Sequence, residues 1–175
     1  VIADGGAPVP ISFGWHPYFA LLGEDPANSR LTVPHLEHVL LDDRCLPVRG
    51  DDRSLSLQGS KDLDGALAGR AFDDLFLRPD EGVSSFALSE AHGSLVLSFG
   101  APWTYVQVYH PEGCDFVAIE PMTAPGAALS DDLDEVSERL RIGLGLFREV
   151  AVEVAVALEV DPEELAELIK LTREP

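Results

Sequence analysis

The stretch EVAVEVAVALEV, Glu149 to Val160, alternates without a break: Val150, Val152, Val154, Val156, Leu158 and Val160 fill every second position, with Ala and Glu between them. Successive side chains of an extended chain point to opposite faces, so this pattern makes one face apolar as a strand and scatters the same residues around a helix. It predicts a long half-buried strand. Shorter extended runs are LEHVLL at 36–41, SSFALS at 84–89, SLVLSF at 94–99, TYVQVY at 104–109 and FVAIE at 116–120, separated by loops containing Gly, Pro or Asp. Strands at such spacing predict a mainly β protein built as a β-sandwich. One stretch departs from the pattern. In DPEELAELIKLT, Asp161 can cap, Pro162 fits the first helical position, and Leu165, Leu168 and Ile169 fall on one stripe, which predicts a short C-terminal helix within 161–175.

At 175 residues and 46% hydrophobic, the chain suffices for one sizeable core. A single β domain over 1–175 is expected, with the sandwich in 1–160 and the helix in 161–175. Acidic side chains outnumber basic ones 31 to 12, a formal charge of −19 that repels phosphate backbones and anionic lipid, so neither nucleic acid nor a membrane surface is an expected partner. No apolar run approaches the roughly 20 residues that cross a bilayer. The opening VIADGGAPVP lacks the charged and apolar regions of a signal peptide, and a soluble cytoplasmic protein is the expectation.

Cys45 and Cys114 stand apart, with no CxxC pair and no zinc-finger spacing, and read as free thiols. His35 and His38 lack the i,i+4 spacing of a metal-binding helix and read as surface or half-buried residues, so no metal site is expected. The acidic clusters LDDR, FDDLF and SDDLDE lack the spacing and glycine of a calcium loop, and most of their charges are expected to be solvated.

Three stretches can carry chemistry. FGWHPYF, residues 13–19, places His16 among four aromatic rings, although aromatic residues are only 7% of the chain. An imidazole so placed is either a core residue with satisfied nitrogens or a proton-transfer group held at a fixed angle. In TYVQVY, alternation puts Gln107 on the face of Tyr105 and Tyr109, with Val106 and Val108 opposite. In FVAIE, Glu120 shares a face with Phe116 and Ala118, away from Val117 and Ile119. A carboxylate that ends an apolar strand and precedes Pro121 is a structural salt-bridge partner or a general base.

Together GWHPYF at 14–19, LPVRG at 46–50, AFDDLF at 71–76, YVQVYH at 105–110 and IEPMTAPGAAL at 119–129 resemble the aldose 1-epimerase (galactose mutarotase) family. IEPMTAP is the most specific of these and HPYF the next. The resemblance spans roughly residues 7–130 and does not reach the terminal helix. It implies a galactose mutarotase-like β-supersandwich with a sugar cleft on a curved sheet, and interconversion of the α and β anomers of an aldohexose without a cofactor. By position in the motifs, His16 would be the general acid at the ring oxygen and Glu120 the general base at the C1 hydroxyl. Asp73 and Gln107 would bind sugar hydroxyls, and Tyr18 would pack or line the cleft. Asp73 has a second reading as a turn or cap residue.

The residue types suit that chemistry on their own terms. Opening a hemiacetal needs one proton removed and another delivered, and a histidine with a reference pKa near 6.5 facing a glutamate near 4.3 can supply both around neutrality. Members of the family carry a large N-terminal half before the HPYF motif, so the chain is expected to correspond to the C-terminal half, an incomplete sandwich. Exposed strand edges or the C-terminal helix would then offer surfaces for a homodimer. The alternative function is a non-catalytic carbohydrate-binding or structural half-scaffold. A hexose-6-phosphate epimerase is a weaker reading, because none of the arginines can be placed in the cleft.

Overall fold

The computed structural model describes residues 12–21, 27–52, 54–78, 82–91, 93–126 and 128, together with the backbone of 152–158. Among the described residues ten strands occur in this order: β1 (Tyr18–Ala20), β2 (Arg30–Thr32), β3 (Glu37–His38), β4 (Gly65–Ala66), β5 (Phe72–Leu77), β6 (Ser84–Glu90), β7 (Gly93–Phe99), β8 (Tyr105–His110), β9 (Phe116–Met122) and β10 (Val152–Leu158). They form two five-stranded sheets, ordered β1-β9-β8-β5-β3 and β10-β7-β6-β2-β4, with every named pairing antiparallel.

Alternation decides what lies between the sheets. Phe72, Phe76, Val106, Val108, Val117 and Ile119 of the first sheet meet Leu31, Phe86, Leu88, Leu97 and Phe99 of the second in one buried cluster. Each such side chain contributes about 1.5–3 kcal/mol when fully removed from water. Within the second sheet Phe86 lies opposite Leu97, and Leu88 lies opposite both Leu95 and Leu31, so the cluster is built from cross-strand pairs. Buried Arg78, just past β5, donates from Nε to Ser84 Oγ at 2.8 Å and from Nη2 to the Gly82 carbonyl at 2.9 Å, which ties the end of β5 to the start of β6.

The strands expected at 84–89, 94–99, 104–109 and 116–120 are present as β6 to β9. The valine-rich run is present as β10, whose Val152, Val154 and Val156 are register partners of Phe99, Leu97 and Leu95 of β7. LEHVLL is only briefly a ladder strand. After His38 the chain leaves the sheet edge and closes an arm through the bridges Val39–Leu57, Leu41–Pro47 and Arg49–Leu55. Asp42 starts the turn of that arm, its Oδ1 accepting from the backbone N–H of Arg44 and of Leu46, each at 2.9 Å. Those N–H donors, that of Leu46 foremost, hold its carboxyl below the usual range. The helix expected within 161–175 lies outside the described residues.

FDDLF is a strand, so the second reading of Asp73 as a turn or cap residue falls, and one of its two acids is an exception to the solvated majority. Asp74 is 7% exposed and faces inward from β5. Lys61 Nζ donates to both of its oxygens, at 2.7 and 2.6 Å, and His38 Nε2 lies 2.9 Å from Oδ1. A buried carboxylate is tolerable only with such partners. His38 is thus a half-buried structural histidine and His35 an exposed one, as the sequence suggests.

The outer face of the first sheet is divided. Val39, Leu41 and Leu55 of the arm cover Leu75, Leu77, Tyr105 and Met122 in a second apolar cluster. The other half of that face stays open, and the candidate site occupies it.

Candidate active site

Register brings the two most distinctive motifs together. Gly14 bridges Met122, and β1 pairs Tyr18 with Ala118, so the position between them sets His16 opposite Glu120. The approach is close because residue 14 has no side chain: a methyl there would lie 2.8 Å from Met122 Cγ and 3.3 Å from the Pro121 carbonyl. Two further contacts fix the junction. The Trp15 N–H donates to the Pro121 carbonyl at 3.0 Å, and Phe13 and Thr123 exchange hydrogen bonds, the Phe13 N–H to Thr123 Oγ1 at 3.1 Å and Thr123 N–H to the Phe13 carbonyl at 3.0 Å. Proline at 17 removes a donor and biases His16 to an extended backbone, which suits an edge segment.

The result is two adjacent rows across the sheet. Glu120 has Gln107 as its partner on β8, and His16 on its other side. The next row runs Tyr18, Ala118, Tyr109, Asp73 over β1, β9, β8 and β5. His16 Nε2 is 3.2 Å from Glu120 Oε1, with the histidine side chain 55% exposed and the glutamate 12%. Gln107 Nε2 donates to Asp73 Oδ1 at 2.5 Å, a diagonal contact between the rows. The His16 ring stacks on Tyr18, with centroids 4.8 Å apart and planes at 20°.

Burial pushes the Glu120 carboxyl above the usual carboxylate range; His16 pulls it back down, and the charge of Asp73 pushes it up. A carboxylate raised in this way and touching an imidazole is suited to accept and return a proton. Asp73 Oδ2 and Gln107 Oε1 remain as acceptors beside it, suited to hydroxyl donors. Among the described residues no cluster of three or more His, Cys, Asp or Glu side chains could hold a metal ion.

All five residues singled out in the sequence, His16, Tyr18, Asp73, Gln107 and Glu120, thus lie on one face of one sheet. Tyr105 shares their alternation but is buried beneath the arm, so it belongs to the support and not to the open face. The sequence alone assigns no role to Gly14, Thr123 or Ala118. Gly14 and Thr123 act through contacts with residues about 110 positions away, for which a single sequence carries no local sign. Ala118 is the small residue that keeps the floor low between Tyr18 and Tyr109.

Comparison with known proteins shows the fold. No protein-family model matches the chain, and no curated protein matches it. Solved structures do. A galactose mutarotase-like protein from Clostridium acetobutylicum matches with a TM-score of 0.57 at 18% identity, over 85% of this chain and 46% of that one. A protein assigned as an aldose 1-epimerase from Escherichia coli K12 matches with a TM-score of 0.53 at 14% identity, over 85% of this chain and 48% of that one. The architecture is a galactose mutarotase-like β-sandwich, and the chain spans about half the length of the structures it matches.

Proposed function

We propose that the protein is an aldose 1-epimerase that interconverts the α and β anomers of an aldohexose by paired acid and base catalysis. The observation that carries this reading is the contact of His16 Nε2 with Glu120 Oε1 at 3.2 Å on the open sheet face. An anomeric carbon bears both oxygens that exchange protons, the C1 hydroxyl and the ring oxygen. An acid and a base one hydrogen-bond length apart suit two oxygens on one carbon. Hydrolysis of a glycoside uses instead two carboxyl groups about 5 Å or more apart.

In the forward step Glu120 removes the proton of the C1 hydroxyl while His16 delivers one to the ring oxygen. The C1–ring oxygen bond breaks, its electron pair going to the ring oxygen, and the carbonyl of the open-chain aldehyde forms at C1. Rotation about C1–C2 presents the other face of the carbonyl. Reclosure runs with the two groups in exchanged roles, so each ends as it began. Asp73 and Gln107 accept from sugar hydroxyls and hold C1 over the pair. Which aldohexose is favoured is then a matter of the hydroxyls that meet these acceptors.

A second reading is a carbohydrate-binding module without turnover. It is favoured by the exposure of His16. One measurement separates the two. NMR or polarimetry of α-galactose and α-glucose should show anomer exchange faster than buffer, lost by roughly 10²- to 10⁴-fold in Glu120→Gln and in His16→Asn. Exchange at the buffer rate, with saturation-transfer signals from bound sugar, would leave only the module.

A further inference from the structure

An acid that must deliver a proton to one atom has to be held at one angle. Catalytic histidines are commonly oriented by a hydrogen bond at the ring nitrogen that does not react. Among the described residues His16 has no such bond; its one polar partner is Glu120, at the reacting nitrogen. More than half of the side chain is exposed, so enclosure does not hold it either. Left with a single contact, an exposed imidazole would populate several staggered rotamers.

The aromatic side chains of the same face supply the missing restraint. Tyr18 lies under the imidazole at 4.8 Å and 20°. Phe116 meets the Tyr18 ring edge-on, at 5.1 Å and 72°, and Tyr109 meets Phe116 at 6.1 Å and 47°. The last of these rings stands on the centre of the sheet, since β8 is paired on both sides. Phe116 is also pinned through its backbone, for the buried His110 donates from Nδ1 to the Phe116 carbonyl at 2.7 Å. A ladder of rings therefore runs from the middle of the sheet to the edge residue that would do the chemistry. Phe116 does not belong to either buried apolar cluster.

We propose that this ladder, Tyr109–Phe116–Tyr18, orients the His16 imidazole toward Glu120, and that Phe116 is a positioning residue of the site. The proposal rests on the reading of His16 as the acid. A ring-on-ring contact changes the population of a held rotamer by up to about tenfold, and displacement of a catalytic group by an ångström costs about a hundredfold.

The test uses the whole chain with isotope-labelled histidine, the His16 resonances being assigned by their loss in His16→Asn. In the parent protein the His16 ring protons should carry the shift imposed by the Tyr18 ring beneath them. Phe116→Leu should move them toward the values of an exposed histidine and lower kcat for anomer exchange about tenfold, with KM within about twofold, because orientation and not sugar binding is lost. Phe116→Tyr, which keeps the edge-on ring, should restore both. Unmoved His16 resonances in Phe116→Leu, or an unchanged kcat despite moved resonances, would overturn the proposal. If the parent protein itself gives no anomer exchange, the epimerase reading fails, and the resonances alone still decide whether the ladder sets the ring.

Discussion

Gly14→Ala tests the register that brings the site together. A methyl at residue 14 would stand 2.8 Å from Met122 Cγ and 3.3 Å from the Pro121 carbonyl, whereas ordinary contact begins near 3.4 Å. About 0.6 Å therefore has to be found between the segment carrying His16 and the strand carrying Glu120. Overpacking of this kind costs about 1–3 kcal/mol. Replacing glycine by alanine also narrows the unfolded ensemble, which offsets about 0.4–1 kcal/mol. The net loss is about 0–2.6 kcal/mol, or a Tm lowered by up to roughly 10 °C for a domain of this size. His16 lies two residues on, so the same displacement should lower kcat for anomer exchange about tenfold. Thermal unfolding and anomer-exchange kinetics read the two effects separately. Adding Met122→Ala removes the closer obstacle, leaving contacts of 3.3 and 3.6 Å, and the pair should be less than additive by about 1 kcal/mol. The sign is decisive: a Tm that rises in Gly14→Ala, with activity intact, would refute the claim that the two motifs need this close approach.

Two further perturbations separate the neighbouring aspartates. As the proposed base Glu120 has to be ionised, and its carboxyl is held above the usual range, first by burial, so kcat/KM should fall as pH drops through that raised value; Asp73→Asn removes the charge that pushes it up and should move the acid limb to lower pH. An acid limb that stays in place in Asp73→Asn would sink that account. The same shift has a stability counterpart: a raised carboxyl favours the fold while protonated, and that contribution is lost as pH rises through the raised value, so Glu120→Gln should raise Tm near neutrality more than in acid. On the inner side of the strand, Lys61→Met strips Asp74 of its bidentate donor and leaves only His38; with Lys61 part exposed, the loss should be about 1–2 kcal/mol by denaturant titration, with anomer-exchange kinetics unchanged.

The sequence made the site's members legible and left their meeting hidden. Period-two alternation was enough to put Gln107 and Glu120 outward and Val106, Val108, Val117 and Ile119 inward, because a strand leaves no other choice of face. The family resemblance supplied the roles proposed for them. What neither could state is that FGWHPYF and IEPMTAP are partners of one another. That pairing is carried by Gly14 against Met122 and by Phe13 with Thr123, contacts over about 110 residues whose only local trace is a glycine and a threonine. FDDLF misled for a related reason: two adjacent acids suggest solvent, and the lysine that makes one of them tolerable inside lies 13 residues upstream in a loop.

Asp73 and Asp74 are chemically alike, one residue apart, and point to opposite sides of β5. A slip of β5 by one position could exchange their surroundings, setting Asp73 beside Lys61 and His38 in the place of Asp74. The electrostatics of the inner side would then be nearly unchanged, so the twin acids by themselves do not hold the register. Phe72 and Phe76 do, because the same slip would turn both rings out of the buried cluster. The apolar cost of exposing them protects the open face from being assembled inside out.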